Sequence, residues 1–161
     1  MSVEQVRGYL KKWGAQDRIR EFGESSATVE LAAQALHCEP KRIAKTLSFA
    51  SGGEGCLLVV AAGDARVDNA KFKAQFGLKA KMLSPGEVVE RVGFEVGGVC
   101  PFGVKPGAKV FLDESLRRFD TVFPACGSDN SAIEVSLAEL EEYAGSAEWV
   151  DVCKGWRETA D

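Results

Sequence analysis

The chain has 161 residues, of which 45% are hydrophobic and 27% are charged, and its formal net charge is −4. This length fits one domain with a substantial core, so residues 1–161 are treated as a single domain. The acidic balance argues against a protein that grips a long nucleic-acid backbone, because such binding neutralises phosphates with clustered Lys and Arg. No apolar run approaches roughly 18 residues and the N-terminus shows no leader pattern, which predicts a cytoplasmic protein without a membrane partner.

The first half of the chain mixes helices with short strands. Apolar residues at three- and four-residue steps predict helices, and Thr28 is a candidate N-cap for the second of them. The predicted elements are a helix over 3–13, a strand over 18–22, a helix over 28–36, a helical turn over 40–44, and strands over 46–49 and 56–62. The last run is too apolar to alternate, which predicts a strand covered on both faces and paired with 46–49 as a central hairpin.

The second half continues this irregular order. Two Ser-x-x-Glu capping boxes, at Ser84 and Ser136, each predict the start of a helix. The predicted elements are helices over 68–76, 84–92 and 136–143, and strands over 80–83, 109–112, 121–124, 133–135 and 149–152. Without regular βαβ alternation, the pattern favours a single α/β (mixed α+β) domain with a curved mixed sheet flanked by helices. Residues 1–27 add an N-terminal helix and strand, and 147–161 form a C-terminal extension.

The cysteine and histidine content limits the chemistry. Five scattered cysteines without a Cys-x-x-Cys pair argue against a disulfide framework and a zinc site. His37 is the only histidine, so a histidine-rich metal site is impossible and any Cys-His or Ser-His dyad would need that residue. No phosphate-binding or dinucleotide fingerprint occurs. We therefore expect neither a metal nor a cofactor.

The segment 97–103, Gly-Gly-Val-Cys-Pro-Phe-Gly, is the most informative stretch of the chain. Glycines let backbone N–H groups approach a ligand closely, and such groups can stabilise an oxyanion in acyl transfer. The alternative is a tight turn between two elements. Cys100 within the loop is either a thiol nucleophile or a small buried apolar residue.

Two further clusters are candidates for ligand contacts. Lys45 stands where a helical turn meets a strand and could reach an anion, or it could be a surface lysine with a buried stem. In the segment 126–133, Asp129 or Asn130 could orient a small ligand, unless the segment is only a hairpin connection. Basic residues at 41–45 and 66–81 face either phosphates or solvent. Because no strong base is evident, catalysis by positioning and backbone electrostatics is favoured.

Three motifs in this order resemble the YbaK/EbsC family of aminoacyl-tRNA deacylases, which is related to the editing domain of bacterial prolyl-tRNA synthetases. They are the segment 42–47, the glycine loop 97–103, and 127–133 followed by the capping box 136–140. The resemblance implies a mixed α/β fold in which Lys45 holds the tRNA end and a Gly-x-x-x-Pro loop holds the ester. It assigns catalysis to Lys45, Gly97 and Gly98, and substrate binding to Thr46, Val99, Cys100, Pro101, Phe102, Gly127, Asp129 and Asn130.

The implied function is trans-editing, the hydrolysis of the ester on a mischarged tRNA. The substrate would be a proline tRNA carrying cysteine, alanine or another small residue, with water or the substrate itself as nucleophile. The implied partners are the aminoacylated terminal adenosine of tRNA and, as a second candidate, a prolyl-tRNA synthetase. The alternatives are a non-catalytic module that binds aminoacyl-tRNA or a synthetase, and a hydrolase that uses Cys100.

Overall fold

The computed structural model describes residues 3–145 and 147–157. These residues form ten strands, five α-helices and short 3-10 turns. The strands are β1 (Arg20–Glu21), β2 (Ile43–Ala50), β3 (Cys56–Ala62), β4 (Arg66–Val67), β5 (Ala108–Asp113), β6 (Thr121–Pro124), β7 (Ser131–Ala132), β8 (Val135–Ser136), β9 (Glu148–Val150) and β10 (Cys153–Lys154). The helices are α1 (Val3–Leu10), α2 (Val29–Leu36), α3 (Asn69–Phe76), α4 (Pro85–Arg91) and α5 (Leu137–Tyr143). No helix within the described ranges is long and apolar enough to span a bilayer.

A six-stranded curved sheet in the order β8-β6-β2-β3-β5-β9 organises the molecule. The antiparallel β2–β3 hairpin lies at its centre, and every residue of β3 is buried, as predicted. The pairs β2–β6, β3–β5 and β5–β9 are parallel, whereas β6–β8 is antiparallel. The predicted mixed α/β domain is confirmed. Two small antiparallel pairs, β1–β7 and β4–β10, hold the terminal segments.

The helix starts follow the predicted caps. Thr28 Oγ1 accepts a hydrogen bond from the Leu31 N–H at 3.1 Å, as predicted, and Asp68, which was not predicted as a cap, accepts from the Ala70 and Lys71 N–H groups of α3. Ser84 and Ser136 both form complete capping boxes. These contacts satisfy backbone N–H groups that have no partner within the helix, which is why the local sequence predicts them.

Three predicted strands differ from the structure because the chain changes partner. Segment 80–83 makes one isolated bridge, between Met82 and Phe49, before the helix cap at Ser84 ends it. Of the predicted strand 133–135 only Val135 lies in a strand, β8, which pairs with β6, whereas β7 directly before the predicted strand pairs with β1. At the sheet edge β9 ends at Val150, since the Val152 N–H donates to the buried Asp113 carboxylate at 2.8 Å.

Glu139 gives the fold a measurable pH dependence. The hydrogen bond from Arg18, at 2.8 Å, lowers the pKa of this carboxyl from 4.5 to about 2. A lowered folded-state pKa stabilises the protein above pH 4.5, and this stabilisation is lost as the pH falls towards 2. The carboxylate is 33% exposed, so screening limits the effect to about 1 kcal/mol.

Replacing Glu139 by glutamine keeps the capping hydrogen bond and removes the charge. We expect Glu139→Gln to lower the free energy of unfolding by about 1 kcal/mol at pH 7, with a smaller difference at pH 3. Urea unfolding of both proteins at the two pH values measures this. An equal difference at both pH values would assign the effect to packing instead of charge.

Candidate functional site

The site lies at an interruption in the sheet beside β2. One edge of β2 pairs fully with β3, while the other pairs with β6 only at Ile43 and Ala44. Further along that edge, the Leu83 N–H donates to Ser48 O at 3.1 Å and the Ala50 N–H donates to Lys81 O. Within the described chain no strand pairs with this edge between those two points. The gap opens into a cavity of about 380 Å³.

The cavity walls come from five parts of the chain. They are the start of α2, strand β2, the segment leading into α4, the glycine loop, and the β6–β7 region. The lining residues are Ser26, Ala27, Thr28, Val29, Ala32, Ile43, Ala44, Lys45, Thr46, Leu47, Ser48, Met82, Leu83, Pro85, Val88, Val96, Gly97, Val99, Phe123, Ala125, Ser131 and Ala132. Most of these side chains are small or apolar. Lys45 is the single ionisable residue among these described lining residues.

Lys45 is half-buried and held by backbone. Its Nζ donates to the carbonyl of Gly63 at 3.2 Å and to the carbonyl of Ala65. Within the described ranges no carboxylate forms an ion pair with it. Burial lowers the pKa of the Lys45 ammonium. An ammonium has three donors, so one N–H and the uncompensated positive charge remain for an anionic or polar ligand.

Thr46 presents its backbone to the cavity. Alternate residues of a strand direct their N–H and C=O groups to the same neighbour, and Ser48 and Ala50 use theirs towards the 81–83 segment. By the same alternation, the Thr46 N–H and C=O point into the gap. Its Oγ1 is buried and has no hydrogen-bond partner in the described part of the chain.

Gly97 lines the same cavity as Lys45 and shapes the loop that carries it. The Gly98 N–H donates to Glu95 O at 3.0 Å, and Gly97 has φ of +98°. These features define a type II β-turn, whose third position requires positive φ and therefore favours glycine. The Gly97 N–H makes no hydrogen bond among the described residues. This amide remains available to a ligand, whereas the Gly98 amide is already used.

Gly98 lies behind the cavity wall, against the loop that carries Gly127. A Cβ at position 98 would lie 2.7 Å from Ser128 N and 2.8 Å from Gly127 C. At Gly97, a Cβ would lie 3.4 Å from Ala27 Cβ and 3.5 Å from Asp129 Cβ. The three predicted motifs therefore do meet, with the glycine loop packed between the start of α2 and the 127–130 segment.

Asp129 and Asn130 hold the loop that precedes α2. Asp129 O accepts the Ser26 N–H at 2.6 Å, and Asn130 Nδ2 donates to Phe22 O at 2.9 Å. Neither residue lines the cavity. The Asp129 backbone carbonyl and the Asn130 side-chain amide thus fix the relative position of two cavity walls. The predicted contact of these residues with a ligand stays a prediction.

The second half of the glycine loop turns into the core. Cys100, Pro101 and Phe102 are buried and line no part of the cavity. Burial raises the pKa of the Cys100 thiol to about 12, so the thiolate needed for nucleophilic attack is disfavoured. This position fits the apolar packing alternative for Cys100. Among residues 3–145 and 147–157, no three His, Cys, Asp or Glu side chains group as a metal site would require.

Several lining residues were not singled out from the sequence, including Met82, Val96, Ala125 and Ala132. They are apolar residues in ordinary patterns, and only the gap in strand pairing brings them together. Met82 and Val96 stand out only in the structure, where their apolar side chains are exposed. Among the described residues, the resulting arrangement is a small apolar cavity with one cation and free backbone donors, and it suits a small ligand that carries a negative charge.

Comparison with known proteins agrees with the family resemblance seen in the sequence motifs. A family model described as an aminoacyl-tRNA editing domain matches residues 23–143. The chain is 53% identical over 156 residues to the uncharacterized protein YwhH of Bacillus subtilis (strain 168), covering 97% of this chain and 99% of that protein. It is 27% identical over 149 residues to the multifunctional Ser/Thr-tRNA deacylase ProXp-y of Escherichia coli (strain K12), covering 88% of this chain and 87% of that protein.

Solved structures agree with the sequence comparison. A crystal structure of a candidate trans-editing enzyme for prolyl-tRNA synthetase superposes with a TM-score of 0.84 and 31% identity, covering 95% of this chain and 97% of that one. The matched range 23–143 is well over half of the chain and contains Lys45, the glycine loop and the loop behind it. The chain therefore belongs to the aminoacyl-tRNA editing domain family.

Proposed function

We propose that this protein is a free-standing trans-editing deacylase, which hydrolyses the ester between a small mischarged amino acid and the terminal adenosine of tRNA. The observation that carries the proposal is the pairing of one half-buried cation, Lys45, with unpaired backbone groups across a small apolar cavity. Relatives with deacylase names and the family membership support the reaction class.

In the proposed reaction, water attacks the ester carbonyl and its oxygen becomes a tetrahedral oxyanion. The free N–H of Gly97, with that of Thr46, lies in the cavity wall where such donors stabilise the oxyanion. The bond from the carbonyl carbon to the ribose oxygen then breaks, and the proton lost by water ends on that oxygen. The products are a free amino acid and an uncharged tRNA. No side chain in the wall acts as a base, so positioning supplies the catalysis.

The remaining predicted residues support this arrangement. Lys45 anchors the negatively charged tRNA end with its third N–H. Gly98, Gly127, Asp129 and Asn130 hold the glycine loop in place, while Cys100, Pro101 and Phe102 fix its exit in the core. Val99 contributes a wall of the amino-acid pocket.

The walls favour a small amino acid. Ala27, Ala32, Ala44, Ala125 and Ala132 all line the cavity, and about 380 Å³ is near the lower end for ligand pockets. Cysteine, alanine, serine and threonine are the candidates, carried on a proline tRNA. A prolyl-tRNA synthetase is the proposed second partner, since a structural relative is described as a trans-editing enzyme for that synthetase.

The test is a panel of proline tRNAs charged with cysteine, alanine, serine, threonine or proline. Ester loss is followed over time with purified protein, with and without prolyl-tRNA synthetase. We expect selective loss of at least one mischarged species and retention of prolyl-tRNA. Loss at the spontaneous rate for every species would contradict the proposal and favour a non-catalytic binding module.

A further inference from the structure

Basic residues are concentrated in one part of this acidic chain. The net charge is −4, yet residues 66–81 contain five basic side chains and one acidic side chain. Lys71 is occupied, because its Nζ contacts the Asp151 carboxylate and the Cys153 carbonyl, both at 3.2 Å. Lys79 and Lys81 are exposed, and neither forms an ion pair within the described ranges. Arg66 and Lys73 form no ion pair within the described ranges either, but only Lys79 and Lys81 lie within three residues of Met82, which lines the cavity.

The segment that carries these lysines runs along β2 and ends at the cavity. The Ala50 N–H donates to Lys81 O at 2.8 Å, which fixes the segment beside the strand. The next residue, Met82, lines the cavity. The nearest carboxylate in sequence, Glu87, is already used by the Ser84 N–H at 2.9 Å and by Arg91 at 3.7 Å. Lys79 and Lys81 therefore lie in the segment that joins the cavity wall at Met82, and within the described ranges neither has a carboxylate at ion-pair distance.

The entrance itself is apolar. Met82 is 59% exposed and Val96 is 62% exposed, the two largest values among the exposed large hydrophobic side chains of the described residues. Both line the same cavity, one in the lysine segment and the other in the turn before Gly97. Exposed apolar side chains around a cavity mark a contact surface, and a methionine adapts its shape to a flat ligand.

We infer that Lys79, Lys81, Met82 and Val96 form the surface that receives the single-stranded acceptor end of tRNA. The lysines pair with backbone phosphates, and the two apolar side chains pack against the terminal base. A basic track that ends at an apolar contact for bases is how proteins bind single-stranded nucleic acids. The inference rests on the proposed function and adds where the tRNA approaches the cavity.

The experiment compares two substrates in the same protein. One is a mischarged tRNA, and the other is the same amino acid esterified to adenosine, which has the base and no phosphate. For the double variant Lys79→Gln and Lys81→Gln, we expect KM for the tRNA to rise about tenfold and its log–log salt dependence to flatten by about 1.4. For the adenosine ester the change is expected to stay under about twofold, since that substrate offers no phosphate.

A second variant tests the apolar contact separately. Met82→Ser is expected to raise KM for both substrates, because both contain the base. The matched control is the double variant Lys11→Gln and Lys109→Gln, which removes the same charge from exposed residues that do not line the cavity. If both double variants change KM for tRNA equally, or if Met82→Ser changes neither KM, the inference is overturned.

The two outcomes distinguish an incorrect tRNA-binding surface from an incorrect deacylase function. If the wild-type protein hydrolyses neither substrate, the proposed function fails, and binding of uncharged tRNA by fluorescence anisotropy decides the surface. Weaker binding by the Lys79→Gln, Lys81→Gln variant than by its control then supports the surface. Equal binding of uncharged tRNA by the two double variants overturns it.

Discussion

Replacing Lys45 by alanine is expected to lower kcat/KM for a mischarged tRNA by about 100-fold or more. Lys45 supplies the one positive charge among the described residues that line the cavity. Its Nζ is fixed by the Gly63 and Ala65 carbonyls, so the charge is placed before the substrate arrives. Fixed charges in a partly buried site are worth more than mobile ones in water, because they need no reorganisation.

The fold should tolerate this change. The Lys45 ammonium is half-buried and donates only to two carbonyls. Burial lowers its pKa, which shows that the buried charge carries a desolvation cost. Removing the ammonium relieves that cost, and water can replace it at the two carbonyls. Lys41→Ala is the matched control, since Lys41 contacts the exposed Glu39 at 3.6 Å and does not line the cavity. Deacylation rates and thermal unfolding are measured for both variants. Wild-type turnover in Lys45→Ala would remove this residue from the mechanism.

Replacing Gly98 by alanine is expected to produce the largest loss of stability, about 2–3 kcal/mol. The new methyl would lie 2.7 Å from Ser128 N and 2.8 Å from Gly127 C, which is closer than van der Waals contact allows. Both contacts are backbone atoms, so no side-chain rotation can relieve them. The glycine loop and the 127–130 loop must separate, which displaces the Gly97 amide from the cavity.

For a protein of this size, the loss corresponds to a decrease in Tm of roughly 4–12 °C. Gly53→Ala is the control, because a Cβ there meets nothing within 4 Å. Differential scanning calorimetry compares the two variants with the wild type. If Gly98→Ala has the same Tm as Gly53→Ala, the two loops are not in the close contact described above.

Local features of the fold could be predicted from the sequence. The caps at Thr28, Ser84 and Ser136 involve residues three apart, and the β2–β3 hairpin joins neighbouring strands across a glycine turn. These contacts depend on short-range geometry, which the residue pattern records directly. The mixed α/β domain was predicted from the irregular order of helices and strands along the chain.

The limits of the cavity could not be predicted in this way. They depend on the end of β6 pairing at Pro124 and on the arrival of the 81–83 segment further along β2, and both are long-range events. The sequence pattern also placed Cys100 and Phe102 in a glycine loop without showing that this loop turns into the core after Val99. The sequence pattern likewise gave no sign that the Asn130 amide donates to Phe22 O, because these residues are 108 positions apart.

The unpaired stretch along the edge of β2 separates the groups proposed for catalysis from the groups that select the amino acid. In the proposed mechanism the groups that stabilise the oxyanion are peptide amides, which every residue except proline possesses, so their position depends on the path of the chain. The walls, by contrast, are side chains such as Ala27, Val99 and Ala125 on separate elements. Substitution at these wall positions can reshape the space for an amino acid while the peptide donors stay in place. A few substitutions could therefore change which amino acid the cavity accepts.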